Sequence, residues 1–119
     1  MSNLPVYLQI AEQIENDILN GYLKPDEQVP STNEFSKMLK VNPATAGKGL
    51  SALVDEGILY KKRGIGMFVL PDAEERIRTK RRETFIQKTL PQFIKEVKRL
   101  QFNHDELLKR IRSELDVNN

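Results

Sequence analysis

The chain is predicted to be mostly α with a small β-hairpin, and three observations carry that prediction. Ile10, Ile14 and Ile18 recur at helical spacing. Two short apolar runs, residues 58–60 and 67–70, flank a basic stretch that holds Gly64 and Gly66, which is the pattern of a hairpin. From Ile86 onward apolar residues return in alternating steps of four and three, the spacing of a helical seam.

The elements follow in order. A first helix spans about residues 5–20, with Tyr7 beside the isoleucines and Gly21 just past its end. The stretch "YLKPDEQVP" holds two prolines and reads as a connection. "STNE" then fits a capping box, in which Ser31 accepts from the Glu34 N–H and Glu34 reaches back. The second helix, about 32–40, offers a short apolar face of Phe35, Met38 and Leu39. Val41 opens a tight turn, Asn42 is a good N-cap, and Pro43 suits the first helical position, where no N–H is needed. The third helix runs to about Glu56 and is ended by Gly57. Its inward positions are Ala46, Leu50, Leu53 and Val54.

Two glycines near the start of that helix are costly, since each forfeits roughly 1 kcal/mol against alanine in a helix interior. Gly49 falls on the inward side, where close packing against a neighbouring helix explains it. Gly47 is read as pointing outward.

Two adjacent short helices followed by a hairpin make a winged helix-turn-helix over residues 1–70. Pro71 ends that unit, and residues 71–119 form a C-terminal helical region. "DAEE" caps its first helix, about 73–89, which carries the basic run Arg76, Arg78, Lys80, Arg81 and Arg82. Pro91 is expected to break or restart the helix. The seam beyond is Ile86, Leu90, Phe93, Val97, Leu100, His104, Leu107 and Ile111, widened by Ile94 and Leu108. Phe102 falls off it and marks a bend.

Composition narrows the function. Charged residues make up 30% and hydrophobic ones 39%, as in a helix-rich globular protein. There is no membrane-length apolar run, no secretory signal in "MSNLPVYLQI", and no cysteine, which together favour the cytoplasm. One histidine and scattered carboxylates do not make a metal set, and no nucleophile context or phosphate-cradling loop points to an enzyme or a cofactor. Net charge is +2, but residues 1–70 hold seven Lys/Arg against eight Asp/Glu. Bulk charge therefore does not announce a nucleic-acid binder, and such a role has to rest on local arrangement.

The local arrangement supplies it. A helix of this kind fits the major groove, and its N-terminal residues meet base edges and phosphates. Asn42, Ala44, Thr45 and Lys48 are presented from the start of the third helix, which adds a positive dipole end. The wing "KKRGIG" offers Lys61, Lys62 and Arg63 to phosphates, and Gly64 and Gly66 let its backbone come close. The basic run 76–82 either touches flanking phosphates or, more often for such runs, pairs with nearby carboxylates.

"VPSTNEFSKMLKVNPATAGKGLSALVDEGIL" followed by "RGIGMFV" resembles the winged-helix DNA-binding domain of GntR-type bacterial transcription regulators. The short helical tail is similar to that of the YtrA subfamily. The resemblance implies a homodimeric repressor, often placed with transporter genes, whose DNA contacts include Ser31, Thr45 and Gly66. Asn33 stands where the family usually has arginine, Ile65 where it has a basic residue, and Ala46 where it has valine.

The tail seam pairs with its copy in a second chain, with its own chain, or with both, because a two-helix tail cannot bury such a stripe alone. His104, in the gap between Leu100 and Leu107, is read as an interface residue. The function that follows is sequence-specific binding of double-stranded operator DNA by a homodimer at an inverted repeat. The competing class is a winged-helix protein-interaction module that binds no DNA. No residue pattern names a small-molecule effector, and the tail is short for a conventional effector pocket.

Overall fold

The computed structural model describes residues 4–117; residues 1–3 and 118–119, the outer ends of the two expected regions and of the stretch read for a secretory signal, lie outside the described residues. The chain packs as two units, Met1–Lys80 and Arg81–Asn119.

In the first unit, α1 (Val6–Leu19), α2 (Thr32–Leu39) and α3 (Pro43–Asp55) precede an antiparallel hairpin of β1 (Leu59–Lys62) and β2 (Gly66–Val69). The caps act as the residue types dictate. Ser31 Oγ accepts from the Glu34 N–H at 3.1 Å, and Glu34 Oε1 accepts from the Ser31 N–H at 3.0 Å. Asn42 Oδ1 accepts from the Ala44 N–H at 2.8 Å, with Pro43 just inside the helix. Between α2 and α3, Lys40 takes a left-handed φ of 55°, and the Ser36 hydroxyl donates to the Val41 carbonyl at 2.6 Å to hold the turn.

One core joins these elements. Ile10, Ile14 and Ile18 of α1 meet Leu50 and Leu53 of α3, with Phe35, Ile58, Leu59 and Val69 around them. Each such side chain contributes roughly 1.5–3 kcal/mol when fully buried. α1 approaches α3 closely at Gly49: a Cβ there would stand 2.7 Å from the Tyr7 carbonyl oxygen and 3.3 Å from Ile10 Cβ. The helix forgoes a side chain so that the two backbones can meet.

Four expectations need correction. The apolar face of α2 is narrower than its sequence suggests: Phe35 is buried, but Met38 is 64% and Leu39 43% exposed, because α2 is short and turns only one edge to α3. Gly47 is half-buried and faces Thr32 of α2, not open solvent. The "connection" before α2 extends the hairpin. Val29 N–H donates to the Met67 carbonyl at 2.9 Å, Val69 N–H to the Glu27 carbonyl at 3.0 Å, and Asp26 N–H to the Val69 carbonyl at 2.7 Å, so residues 26–29 run alongside the two-stranded sheet and bridge to β2 at Gln28 opposite Phe68. The boundary expected at Pro71 is not where packing divides the chain: Ala73 and Ile77, on α4 (Ala73–Thr84), are buried in the core of the first unit.

In the second unit a helix restarts at Leu90 with Pro91 in its first turn, the second of the two outcomes expected there. A π turn, Phe85–Thr89, leads into α5 (Leu90–Arg99), and the Leu90 N–H donates to the Phe85 carbonyl. A proline ring crowds the carbonyl four residues back and has no N–H to give; the wider turn relieves that crowding. α5 ends at Arg99. Gln101 adopts φ 54°, and Asn103 Oδ1 accepts from the Glu106 N–H at 3.0 Å to cap α6 (His104–Asp116). The four–three seam is therefore not one continuous stripe. Ile86 lies in the π turn, Leu90, Phe93 and Val97 on α5, Leu100 at its end, and Leu107 and Ile111 on α6. His104 is the exposed first residue of α6, so the spacing that set it between Leu100 and Leu107 does not survive the break.

Candidate nucleic-acid interface

The start of α3 presents Asn42 and Ala44 exposed and Thr45 half-buried. The Asn42 carbonyl oxygen is engaged as the cap, which leaves its NH2 group pointing outward as a donor. Lys48, one turn on, is exposed, and its ammonium lies 4.1 Å from the centre of the Tyr7 ring. That cation–π contact holds the charge beside α1 without burying it.

The wing is a two-stranded antiparallel ladder. Its register pairs Leu59 with Val69, Tyr60 with Phe68, Lys61 with Met67 and Lys62 with Gly66. Side chains alternate across a sheet. Leu59 and Val69 enter the core, and Lys61 and Met67 on the same side line a cleft of about 270 Å³ with Ser31, Asn33, Leu50 and Gly66. Tyr60 and Phe68 stack on the other side at 5.6 Å, and the Lys62 ammonium lies 4.6 Å from the Phe68 ring. The two wing lysines thus serve opposite faces. At the tip the Ile65 N–H donates to the Lys62 carbonyl at 3.0 Å, and Gly64 takes φ +77°, a value that residue types other than glycine rarely hold in such a turn. Arg63 is exposed there.

Three supports escaped the sequence reading. Gln28 donates from Nε2 to the Ile65 carbonyl at 3.0 Å and braces the tip from 37 residues away. The Tyr60 hydroxyl donates to Asp26 Oδ1 at 2.8 Å. That hydrogen bond, with desolvation and the carboxylate's charge behind it, holds the Tyr60 pKa above its ordinary value. Tyr7 carries Lys48. Pairing outward from the wing glycines could have found Tyr60 opposite Phe68; nothing local marks Gln28 or Asp26.

The basic run 76–82 resolves toward its bland alternative. Arg76 pairs with Asp72 at 3.0 Å, Arg78 with Glu74, and Lys80 with both Glu15 and Glu56. Among the described residues no group of three His, Asp or Glu side chains gathers as a metal set, and no helix is long and apolar enough to cross a membrane.

A capped helix 13 residues long behind a tight turn, beside a braced basic hairpin, is a winged helix-turn-helix. Residues 6–69 match the model of the bacterial regulatory proteins of the gntR family, and the chain belongs to that family. It is 33% identical to the transcriptional regulator YhcF of Bacillus subtilis, over 94% of this chain and 91% of that one. Against the B. subtilis repressor YtrA the identity is 32%, over 78% of this chain and 71% of the relative. The B. subtilis repressor NagR is 43% identical over 57% of this chain, which spans only 28% of NagR. Among solved structures, a GntR-family regulator from Bacteroides thetaiotaomicron matches with a TM-score of 0.79 at 30% identity, over 93% of this chain and 96% of that one. The DNA-binding domain of AraR, solved in complex with operator ORE1, matches with a TM-score of 0.54 at 38% identity, over 56% of this chain and 80% of that one. These relatives are named as transcription regulators, not enzymes.

Proposed function

We propose that the chain is a homodimeric repressor of the cytoplasm that binds an inverted-repeat operator and excludes polymerase from a promoter. α3 enters the major groove with Asn42, Ala44, Thr45 and Lys48 toward base edges and phosphates. Ser31, Asn33, Lys61 and Gly66 meet one phosphate stretch at the cleft between α2 and the wing, while Lys62, Arg63 and Gly64 meet the adjoining backbone. The observation that supports this reading is the braced wing: a three-residue tip fixed by Gln28 and Gly64 carries exposed Arg63, and Lys61 shares a cleft with Ser31 and Asn33 at the start of α2.

Residues 81–119 supply the dimer. Ile86 (59% exposed), Phe93 (43%), Ile94 (41%) and Leu100 (58%) leave an apolar surface on this unit that a second copy would cover. In the same unit Val97 is buried, Leu90, Leu107 and Ile111 are half-buried, and His104 is exposed at the start of α6. Dimerisation also suits a helix-turn-helix, which reads two half-sites by symmetry.

Selection from a random duplex library tests the whole reading, with transporter genes the first place to look for matches in a genome. The expected result is an inverted repeat bound with an affinity that falls steeply with salt, as counterion release requires. Recovery of no sequence, with salt-independent binding, would leave the protein-interaction module as the function.

A further inference from the structure

Tyr7 lies in the first turn of α1, half-buried, and meets α3 in two ways. Its carbonyl oxygen stands 2.7 Å from where a Cβ at Gly49 would be. Its ring faces the side chain one residue earlier, with the Lys48 ammonium 4.1 Å from the ring centre. The two contacts depend on each other. The first turn of a helix has N–H groups without partners inside the helix, and it frays unless something holds it. α1 starts at Pro5 with no side-chain cap. Packing of the Tyr7 backbone on the open side of Gly49 therefore helps to fix that turn. A larger residue at 49 would push α1 away and carry the ring off Lys48.

The consequence lies in side-chain freedom. Lysine is among the side chains with most rotamer entropy to lose when a partner fixes it. Lys48 is exposed, so without the ring its ammonium would sample that freedom. The aromatic face occupies one side of the ammonium and leaves N–H donors directed away from the ring. We propose that Tyr7 is a positioning residue for DNA binding: its ring holds the Lys48 ammonium ready for a phosphate, so that less side-chain freedom is lost when the operator binds. This rests on the DNA-binding reading above and concerns the first unit alone. A phosphate contact carries no base identity, so the effect should be equal for strong and weak operator sequences.

The test is a double-mutant cycle on the full chain, read as affinity for a selected operator across a salt titration. Tyr7→Leu keeps an apolar side chain without the π face, and Tyr7→Phe keeps the face without the hydroxyl. Tyr7→Leu should weaken binding by about threefold, the size of an exposed cation–π contact, and should keep the parent's salt slope because the charge remains. In a Lys48→Ala chain the same substitution should make no further difference, and Tyr7→Phe should bind like the parent. In the unbound parent the ring current should move the Lys48 Hε resonances upfield, and the shift should persist in the operator complex. That measurement needs no variant and decides the question where Tyr7→Leu does not fold. A parent that binds no duplex, or a Lys48→Ala chain that binds like the parent, removes the DNA-binding role of Lys48 and this proposal with it. Three results overturn the role of Tyr7 alone: a Tyr7→Leu effect equal in both backgrounds, a Tyr7→Phe chain as weak as Tyr7→Leu, or an upfield shift that disappears on the operator.

Discussion

The two units solve the burial of apolar surface differently. Up to Lys80, α1, α3 and the hairpin close over one core in which Ile14 and Leu53 are completely inaccessible. Beyond it, Val97 is the one buried side chain among the described residues, while Phe85, Ile86, Phe93, Leu100 and Leu108 are each more than two-fifths exposed. The first unit has the make-up of a domain that is stable by itself. The second leaves most of its apolar side chains open. The difference shows why the local sequence pattern was easy to place in the first unit and easy to over-extend in the second: a closed core selects one register, and an open face tolerates breaks such as that at Gln101.

Substitutions that strike the core should have the largest effect. Gly49→Leu should cost about 3 kcal/mol or more in urea unfolding, because even its Cβ would collide with the Tyr7 carbonyl oxygen, which backbone geometry holds in place. A variant that unfolds with the parent would mean that α1 and α3 separate readily. Next comes the open face. Phe93→Glu adds a charge where the chain's own packing is little disturbed, since Phe93 is 43% exposed. Light scattering should show monomers, and operator affinity should fall by about 100-fold as linkage between half-sites is lost. A dimer that persists would move the interface elsewhere.

Smaller effects test the edge of the first unit proposed to face DNA. Arg63→Ala and Lys48→Ala should each lower affinity and make the salt slope shallower by about one unit, with the melt unchanged. Equal slopes across all three proteins would remove both cations from the phosphate contacts. The smallest effect is a gain. At Gly47 an added Cβ would lie 3.5 Å from Thr32 Cγ2, an ordinary contact, so Gly47→Ala should stabilise by roughly 0.5–1 kcal/mol through helix propensity. A loss of stability there, read by the same urea melts, would show that α2 and α3 approach more tightly than this geometry allows.

By itself the sequence determined the parts governed by neighbours along the chain. The capping box of Ser31 and Glu34, the Asn42–Pro43 start of α3, the inward Gly49 and the hairpin about Gly64 all depend on contacts or dihedrals within a few residues, apart from the helix that Gly49 meets. Together they specified a winged helix-turn-helix, and the quoted motif carried the family. Only the tertiary structure decided what distant residues do to one another. Gln28 and Asp26 read as loop until β2 came alongside and made them braces for the wing. Lys80 read as one member of a basic run until α1 and α3 brought Glu15 and Glu56 to it. The tail seam read as continuous because a four–three count does not register a left-handed residue such as Gln101, nor Asn103 capping a new helix three residues past Leu100. Periodicity reports which residues could share a face; whether the backbone stays helical long enough for them to do so is set by caps and packing that the count does not contain.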